Sequence, residues 1–107
     1  MYVYRGETAK ERYIGGIKNG YRHGYGYYEY QNMTTMNTII YKGWWKDHKR
    51  SGYGEERNSE GTYRYVGQFL ENKKHGHGCH LKGGDLYIGQ YKEGLAHGRG
   101  CLMNALQ

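Results

Sequence analysis

Residues 65–78 read Tyr-Val-Gly-Gln-Phe-Leu-Glu-Asn-Lys-Lys-His-Gly-His-Gly. Counted from the opening tyrosine, glycine stands at +2, a large apolar residue at +4, and two further glycines at +11 and +13. The same five positions recur in three other segments, which open at Tyr13, Tyr41 and Tyr87, so that successive units lie 28, 24 and 22 residues apart. Phasing of this kind indicates one structural unit repeated along the chain.

Each unit has the pattern of a β-hairpin. The first arm alternates with period two, which places the tyrosine, the +2 glycine and the +4 residue on one face of a strand and residues such as Ile14, Trp44, Val66 and Ile88 on the other. The glycine pair opens the second arm. We predict a left-handed residue at +7, where residue types enriched at positive φ recur. The +7 residues are Gly20, His48, Asn72 and Gly94.

Residues 1–6 have the pattern of one more strand, with Tyr2 and Tyr4 on the same face. Turn-forming residues such as Gly83 and Gly84 separate the units, and no amphipathic helical window lies between them. We therefore predict about nine antiparallel strands in one meander and no helix longer than two turns.

The second arms carry a recognisable motif, His-Gly-x-Gly, at 23–26, 75–78 and 97–100, while Ser51 replaces the histidine in the second unit. With the Tyr-x-Gly-x-aromatic first arms, the chain from about 13 to 104 resembles MORN (membrane occupation and recognition nexus) repeats. The resemblance implies an all-β, single-layer antiparallel meander wound into an open solenoid. It predicts one domain over 1–107, with a truncated arm and turn at 1–12 and repeats at 13–40, 41–64, 65–86 and 87–104.

Composition favours a thin fold stabilised by aromatic rings. Leu, Ile, Val and Phe total 14 of 107 residues, whereas 14 tyrosines recur in phase, so stacked rings replace aliphatic packing. The +2 glycines leave space for a ring to lie across the backbone. We also predict that the repeated rings form a partner-binding face. Its residues are Tyr13, Tyr41, Trp45, Tyr65, Phe69, Tyr87 and Tyr91.

Basic residues cluster near the hairpin tips, and stacking the hairpins aligns them into a basic edge, which fits the net charge of +6. Such an edge suits anionic lipid headgroups, acidic protein tails such as those on microtubules, or phosphates. Alternatively, the charges only keep exposed loops soluble and discourage edge pairing. The basic edge comprises Lys46, Lys49, Arg50, Lys73 and Lys74.

Two irregular features allow further predictions. The link between the first two units, residues 31–38, is longer than the others and contains Met33 and Met36. It is either a partner-contacting loop, because methionine suits adaptable surfaces, or an inert insertion. Cys79 and Cys101 occupy the same offset in neighbouring units, about 9–10 Å apart, so we expect free thiols and a reducing compartment.

The sequence gives little support for chemistry. A zinc set of His75, His77, Cys79 and His80 lacks the usual ligand spacing, and His75 belongs to the repeat motif. The serines and aspartates fall on predicted turns with no reason to converge into a triad, and the glycine pairs open strands rather than a helix. We expect no enzyme activity, metal or cofactor, and the N-terminus has no signal-peptide or transmembrane pattern.

The resemblance implies binding and scaffolding rather than catalysis. Short MORN proteins of this kind occur in cilia and cytoskeletal assemblies, including radial spoke heads, so we expect a cytoplasmic structural component that binds a helix or extended segment of other proteins, or a second copy of itself. The alternatives are a peripheral membrane module on anionic lipid and a regulatory appendage of a larger enzyme. Nucleic acid is not expected, because the recurring aromatics are committed to stacking and no RNA-binding motif appears.

Overall fold

The computed structural model describes residues 2–4 and 9–104, and there it contains one antiparallel sheet whose strands follow chain order. The sheet is a single layer within overall dimensions of 44 × 30 × 17 Å. The predicted meander is therefore confirmed over this range, including a strand within 1–6; Met1, residues 5–8 and residues 105–107 lie outside the described residues. The strands are β1 (Tyr2–Tyr4), β2 (Ala9–Lys18), β3 (Tyr21–Asn32), β4 (Thr38–Lys46), β5 (Lys49–Asn58), β6 (Tyr63–Leu70), β7 (Lys73–Lys82), β8 (Asp85–Lys92) and β9 (Leu95–Asn104).

The four hairpin tips are two-residue turns in which both central residues have positive φ. This is the property of a type I′ turn, whose twist matches that of the flanking strands. The predicted left-handed residue at +7 is confirmed, and the +6 residue, which we had not predicted, is left-handed as well. The central pairs are Asn19 and Gly20, Asp47 and His48, Glu71 and Asn72, and Glu93 and Gly94.

A continuous row of glycines crosses the sheet from β2 to β9. The +2 glycine of each unit pairs with the +13 glycine of the same unit, and that glycine pairs with the +2 glycine of the next. A Cβ atom added at Gly54 would lie 2.4 Å from the hydroxyl oxygen of Tyr41. The tyrosine ring thus lies flat over the glycines. The row comprises Gly15, Gly26, Gly43, Gly54, Gly67, Gly78, Gly89 and Gly100.

Each of these tyrosines is also tied to its own strand through its hydroxyl group. The first arm is irregular after the +2 glycine, where the register with the second arm skips the +3 residue. The hydroxyl donates a hydrogen bond to that residue's carbonyl oxygen, at 2.7 Å from Tyr13 to Gly16 and 2.9 Å from Tyr41 to Trp44. The bonds from Tyr65 and Tyr87 measure 2.8 and 3.1 Å. A polar ring tip in the core is thereby satisfied.

The +4 rings join the tyrosines of successive units into a column. Trp45 lies edge-on between Tyr13 and Tyr41, at centroid distances of 5.5 and 5.2 Å. Phe69 joins Tyr41 to Tyr65 in the same manner, at 5.2 and 5.1 Å. Edge-to-face contacts at these distances are favourable beyond the area that they bury. The column is the hydrophobic core of the sheet.

The two faces of the sheet differ in exposure. We call the face that carries the tyrosine and +4 rings the core face, and the opposite one the outer face. Tyr41 and Tyr65 are 0% exposed, whereas Trp44, next to Trp45 in the chain but on the outer face, is 50% exposed. The outer face also carries one buried aliphatic residue, Ile40. The predicted assignment of residues to faces is confirmed.

Replacing Trp45 or Phe69 by alanine should destabilise the protein strongly, because each ring fills the space between two units. Large-to-small aromatic changes in a core cost about 3–5 kcal/mol. Trp44→Ala is the matched control, since it removes a half-exposed ring that makes one edge-to-face contact, with Tyr25, and should cost less than about 1.5 kcal/mol. Thermal melts measure the difference. Equal shifts for Trp44→Ala and Trp45→Ala would contradict the core described above.

Alkaline pH should also destabilise the fold. Burial raises the pKa of Tyr41 and Tyr65 above 10.0 and raises that of Tyr91 to about 12. Above pH 10 the unfolded chain loses these protons and the folded chain retains them, so the free energy of unfolding falls as pH rises. Denaturant midpoints at about pH 8 and about pH 11 test this expectation. An equal midpoint at both values would contradict it.

Candidate functional site

The residues predicted as a partner-binding face form the core instead. Tyr41, Trp45, Tyr65, Phe69 and Tyr91 are buried by one another, and Tyr13 and Tyr87 pack against them half-buried. A ring without solvent exposure cannot contact a partner in this conformation. The sequence pattern identified the stacked side chains correctly, but the same stacking removes most of their surface. Binding of a partner elsewhere on the core face stays a prediction.

The predicted basic edge divides into two groups of side chains. Lys46, Lys49 and Lys73 are exposed at the tips, beside acidic turn residues. Arg50 and Lys74 instead turn onto the core face. The Arg50 guanidinium carbon lies 5.1 Å from the Phe69 ring centroid, and the Lys74 ammonium nitrogen lies 5.3 Å from that of Tyr65. Burial lowers the pKa of Lys74. Arg50 and Lys74 therefore belong to the packing of the core rather than to a free charged surface.

Arg50 also links neighbouring units. Its guanidinium group pairs with the Glu56 carboxylate and donates a hydrogen bond of 2.9 Å to the carbonyl oxygen of Asn72, at the tip of the next hairpin. Arg22, at the same +9 offset, reaches the His48 carbonyl at 3.1 Å. The tip amides of His48 and Asn72 donate in turn to the carbonyls of Arg22 and Arg50. This link between hairpins was not predicted from the sequence, although the long basic residue at +9 in each of the first three units is a signal for it.

The outer face carries exposed rings that are not among the residues predicted to bind a partner. Tyr25 and Tyr53 are 58% and 60% exposed, and Trp44 lies between them along the sheet. Tyr25 and Trp44 form an edge-to-face pair with centroids 5.6 Å apart. Large exposed aromatic side chains in a cluster mark interaction surfaces more often than isolated apolar residues do. The sequence contains a signal for this cluster, because Trp44 at +3 and Tyr25 and Tyr53 at +12 are aromatic at positions that face solvent on the outer face.

Positive charge is concentrated on the outer face. Strand alternation places two acidic strand residues there, Glu29 and Glu55, and Glu55 is paired with Arg64 at 2.5 Å. On the core face, Glu11, Glu56 and Asp85 offset much of the positive charge. The outer-face cations are Lys10, Arg12, Lys18, Lys42, Lys46, Lys49, Arg57, Arg64, Lys73, Lys92 and Arg99.

The insertion loop after β3 is an ordered turn. The Asn32 side-chain oxygen accepts hydrogen bonds from the amides of Thr34 and Thr35, at 2.9 and 3.1 Å, and its backbone is bonded to Asn37 and Met36. Met33 and Met36 are exposed on the turn. Two flexible apolar side chains are therefore accessible, and their contact with a partner stays a prediction.

The histidines and cysteines once considered for zinc do not converge. His75, His77 and Cys79 follow one another at two-residue intervals on the outer face, about 7 Å apart, while His80 points to the core face. No cluster of three potential ligands occurs within residues 2–4 and 9–104. Cys79 and Cys101 are free thiols, and the register places Ile88 between them.

His80 is instead part of the ring packing. Its ring lies edge-on to Tyr63 at 5.2 Å, and burial lowers its pKa.

In the part of the chain that the structure describes, no helix is long and apolar enough to cross a membrane.

Replacing Arg50 by alanine should destabilise the fold by about 1–3 kcal/mol, because it leaves the partly buried Glu56 carboxylate without its cation. Lys49→Ala removes a neighbour of the same charge that is exposed, and should change stability by less than about 0.5 kcal/mol. The free energies of unfolding of both variants, measured with denaturant, test whether Arg50 belongs to the core while Lys49 is a free surface charge. A larger loss for Lys49→Ala than for Arg50→Ala would show that the division is wrong.

The chain is similar to known proteins in the same segments that form the four hairpins. A family model described as MORN repeat matches residues 13–32, 41–64, 65–82 and 87–103. Alsin from Homo sapiens and from Rattus norvegicus is 36% identical over 74 residues, which make up 69% of this chain and 4% of Alsin. MORN repeat-containing protein 3 from Xenopus laevis is 37% identical over 76 residues, 66% of this chain and 30% of that protein. This chain therefore spans a minor part of the relatives it matches. Through these matches and its four phased hairpins, the chain belongs to the MORN repeat family, a family of non-enzymatic modules that bind proteins or membranes.

Proposed function

We propose that this chain is a non-catalytic protein–protein interaction scaffold and adaptor, and a structural component of a ciliary (axonemal) or other cytoskeletal assembly. The observation that carries the proposal is the difference between the two faces of the sheet. The core face uses its rings to hold the units together, while the outer face keeps Tyr25, Trp44 and Tyr53 exposed among lysines and arginines. Trp, Tyr and Arg are the residues that contribute most to binding energy at protein interfaces.

The elongated single layer suits a scaffold. Each hairpin contacts mainly its neighbours in the chain, so the binding surface lengthens with the number of units and needs no second layer to support it. The cytoskeletal part of the proposal rests on the resemblance to short MORN proteins and on charge. Acidic tails such as those on microtubules complement the positive outer face.

A peripheral membrane module is the second candidate, and one observation favours it. Trp44 lies on the outer face beside Lys42 and Lys46, and aromatic rings next to lysines are typical of the membrane–water interface. Against it, the hairpin tips carry Asp47, Glu71 and Glu93 among their lysines, which weakens attraction to an anionic surface. A third possibility, a regulatory appendage of a larger enzyme, is compatible with the small share of its relatives that the chain spans.

Affinity capture from an extract of ciliated cells tests the scaffold function. The bait is the full chain, and the matched bait is Lys49→Gln, Lys73→Gln, Lys92→Gln, which changes exposed tips without touching Lys46, Arg50 or Lys74. We expect the wild-type bait to retain axonemal or cortical proteins at high salt, because contacts of apolar surface resist screening whereas exposed charge pairs do not. If the wild-type bait captured no cytoskeletal protein at low or at high salt, the proposal would be contradicted.

Sedimentation with vesicles, with and without phosphatidylserine, separates scaffold from membrane module. We expect weak binding to both kinds of vesicle. Strong binding to the anionic vesicles that the triple lysine variant loses, and that falls with salt, would favour the membrane module instead.

A further inference from the structure

The exposed rings of the outer face form a row across three adjacent strands. Tyr25 on β3 pairs directly with Trp44 on β4, and Tyr53 follows on β5. Trp44 is seated against the backbone of β5, because a Cβ atom at Gly52 would lie 3.2 Å from the Cβ atom of Trp44. Since neighbouring strands are about 4.8 Å apart, the row spans about 10 Å. We refer to Tyr25, Trp44 and Tyr53 as the ring row.

Comparison among the repeats of this chain shows that local folding does not require the ring row. Units three and four carry glutamine at +3, and its side-chain oxygen accepts a hydrogen bond from the amide of the +12 residue. These bonds measure 2.8 Å from His77 to Gln68 and 3.2 Å from Arg99 to Gln90. Unit two has Trp44 at this position, and an indole has no acceptor. The tryptophan therefore replaces a side chain that serves the backbone, and half of its own surface remains exposed.

The charges that flank Trp44 on its own strand are positive. Lys42 and Lys46 lie two residues to either side of Trp44 on the same strand and the same face, and both are exposed. Glu55, the acidic residue of β5 on this face, lies opposite Lys42 in the register, and its carboxylate is paired with Arg64 on the far side. A ligand over the ring row thus meets aromatic surface in the middle and an ammonium group on each side.

We propose that the ring row, with Lys42 and Lys46, binds an extended acidic polypeptide segment that carries an apolar side chain between its carboxylates. This inference rests on the proposed scaffold function and names its partner class and its binding site. The apolar side chain contacts the Trp44 ring, and carboxylates on either side reach the two lysines. Lys42 and Lys46 lie along β4, about 13 Å apart, and an extended chain advances about 3.3 Å per residue. A peptide that runs along β4 therefore spans the two lysines with about five residues, and its central side chain lies over the ring row.

The geometry favours a peptide over the other anionic ligands. The planes of Tyr25 and Trp44 meet at 81°, so two successive nucleic-acid bases cannot stack flat on both rings in one orientation. A bilayer would contact the whole rim of tips and meet Asp47, Glu71 and Glu93, whereas a narrow peptide over the row and its two lysines does not reach Glu71 or Glu93.

The test measures binding of a fluorescein-labelled peptide of nine residues, Glu-Glu-Glu-Gly-Phe-Gly-Glu-Glu-Glu, to the full chain by fluorescence anisotropy; its glutamates two residues to either side of Phe share the face of that ring. We expect Trp44→Ala to weaken binding about tenfold or more, as for an aromatic hot spot. Lys42→Gln with Lys46→Gln should weaken it severalfold and reduce its salt dependence. The matched control is Ile88→Ala with Lys92→Gln, because Ile88 is 49% exposed on the same face and Lys92 shares the offset of Lys46. The control should bind as the wild type does.

Three results would overturn the inference. The wild type fails to bind the peptide, or Trp44→Ala binds it equally well with an unchanged melting temperature. The third is that single-stranded DNA or phosphatidylserine vesicles displace the labelled peptide at a lower concentration than unlabelled peptide does. The experiments distinguish failure of the proposed site from failure of the proposed function. Capture of axonemal proteins that Trp44→Ala leaves unchanged removes this site and keeps the scaffold function. Peptide binding that depends on Trp44, without capture of any cytoskeletal protein, keeps the site and removes the function.

Discussion

The fold depends on a tyrosine ring lying flat over a pair of glycines. In each unit the ring covers the +2 and +13 glycines, and its hydroxyl bonds the carbonyl of the +3 residue. Neither glycine accepts a side chain without displacing the ring, as the 2.4 Å separation at Gly54 shows. The contact fixes the register of the two arms, because only one alignment brings both glycines beneath the ring. It also brings the ring low enough for the +4 residue of the next unit to cover it.

This constraint explains why the two faces of a single-layer sheet differ. The rings that hold successive units together lie on the core face, and Arg22 and Arg50 close that face at the hairpin tips by binding the next unit. The outer face carries little of this packing, so its residue types are less restricted by folding. Gln68 and Gln90 still serve the backbone there, but Trp44 does not. Such freedom allows one unit to differ from its neighbours without loss of the fold.

The sequence predicted the fold well because its information is local and repeated. The period-two arms, the left-handed residue at +7 and the strand within residues 1–6 follow from steric rules that act within one hairpin. The candidate site was predicted less well. Tyr41 and Tyr65 were assigned to a partner, although stacking by the next unit leaves them no exposed surface. Arg50 and Lys74 were grouped with loop lysines, although their long side chains bend back over the rings. The position of a residue within its own repeat does not show which side chains of the neighbouring repeat will cover it.

The amino-acid sequence by itself determined the unit, its number of copies and the alternation that separates the two faces. These properties arise from glycine, tyrosine and turn residues at fixed spacing, and each acts within about twenty residues. Only the tertiary structure decided which rings are buried and which are available. A ring's exposure depends on whether the neighbouring hairpin places another ring over it. Trp44 and Trp45 are adjacent in the chain and chemically identical, yet one is 50% and the other 4% exposed. The difference arises because Trp45 lies among three rings of the core face, Tyr13, Tyr28 and Tyr41, whereas Trp44 contacts the single ring of Tyr25.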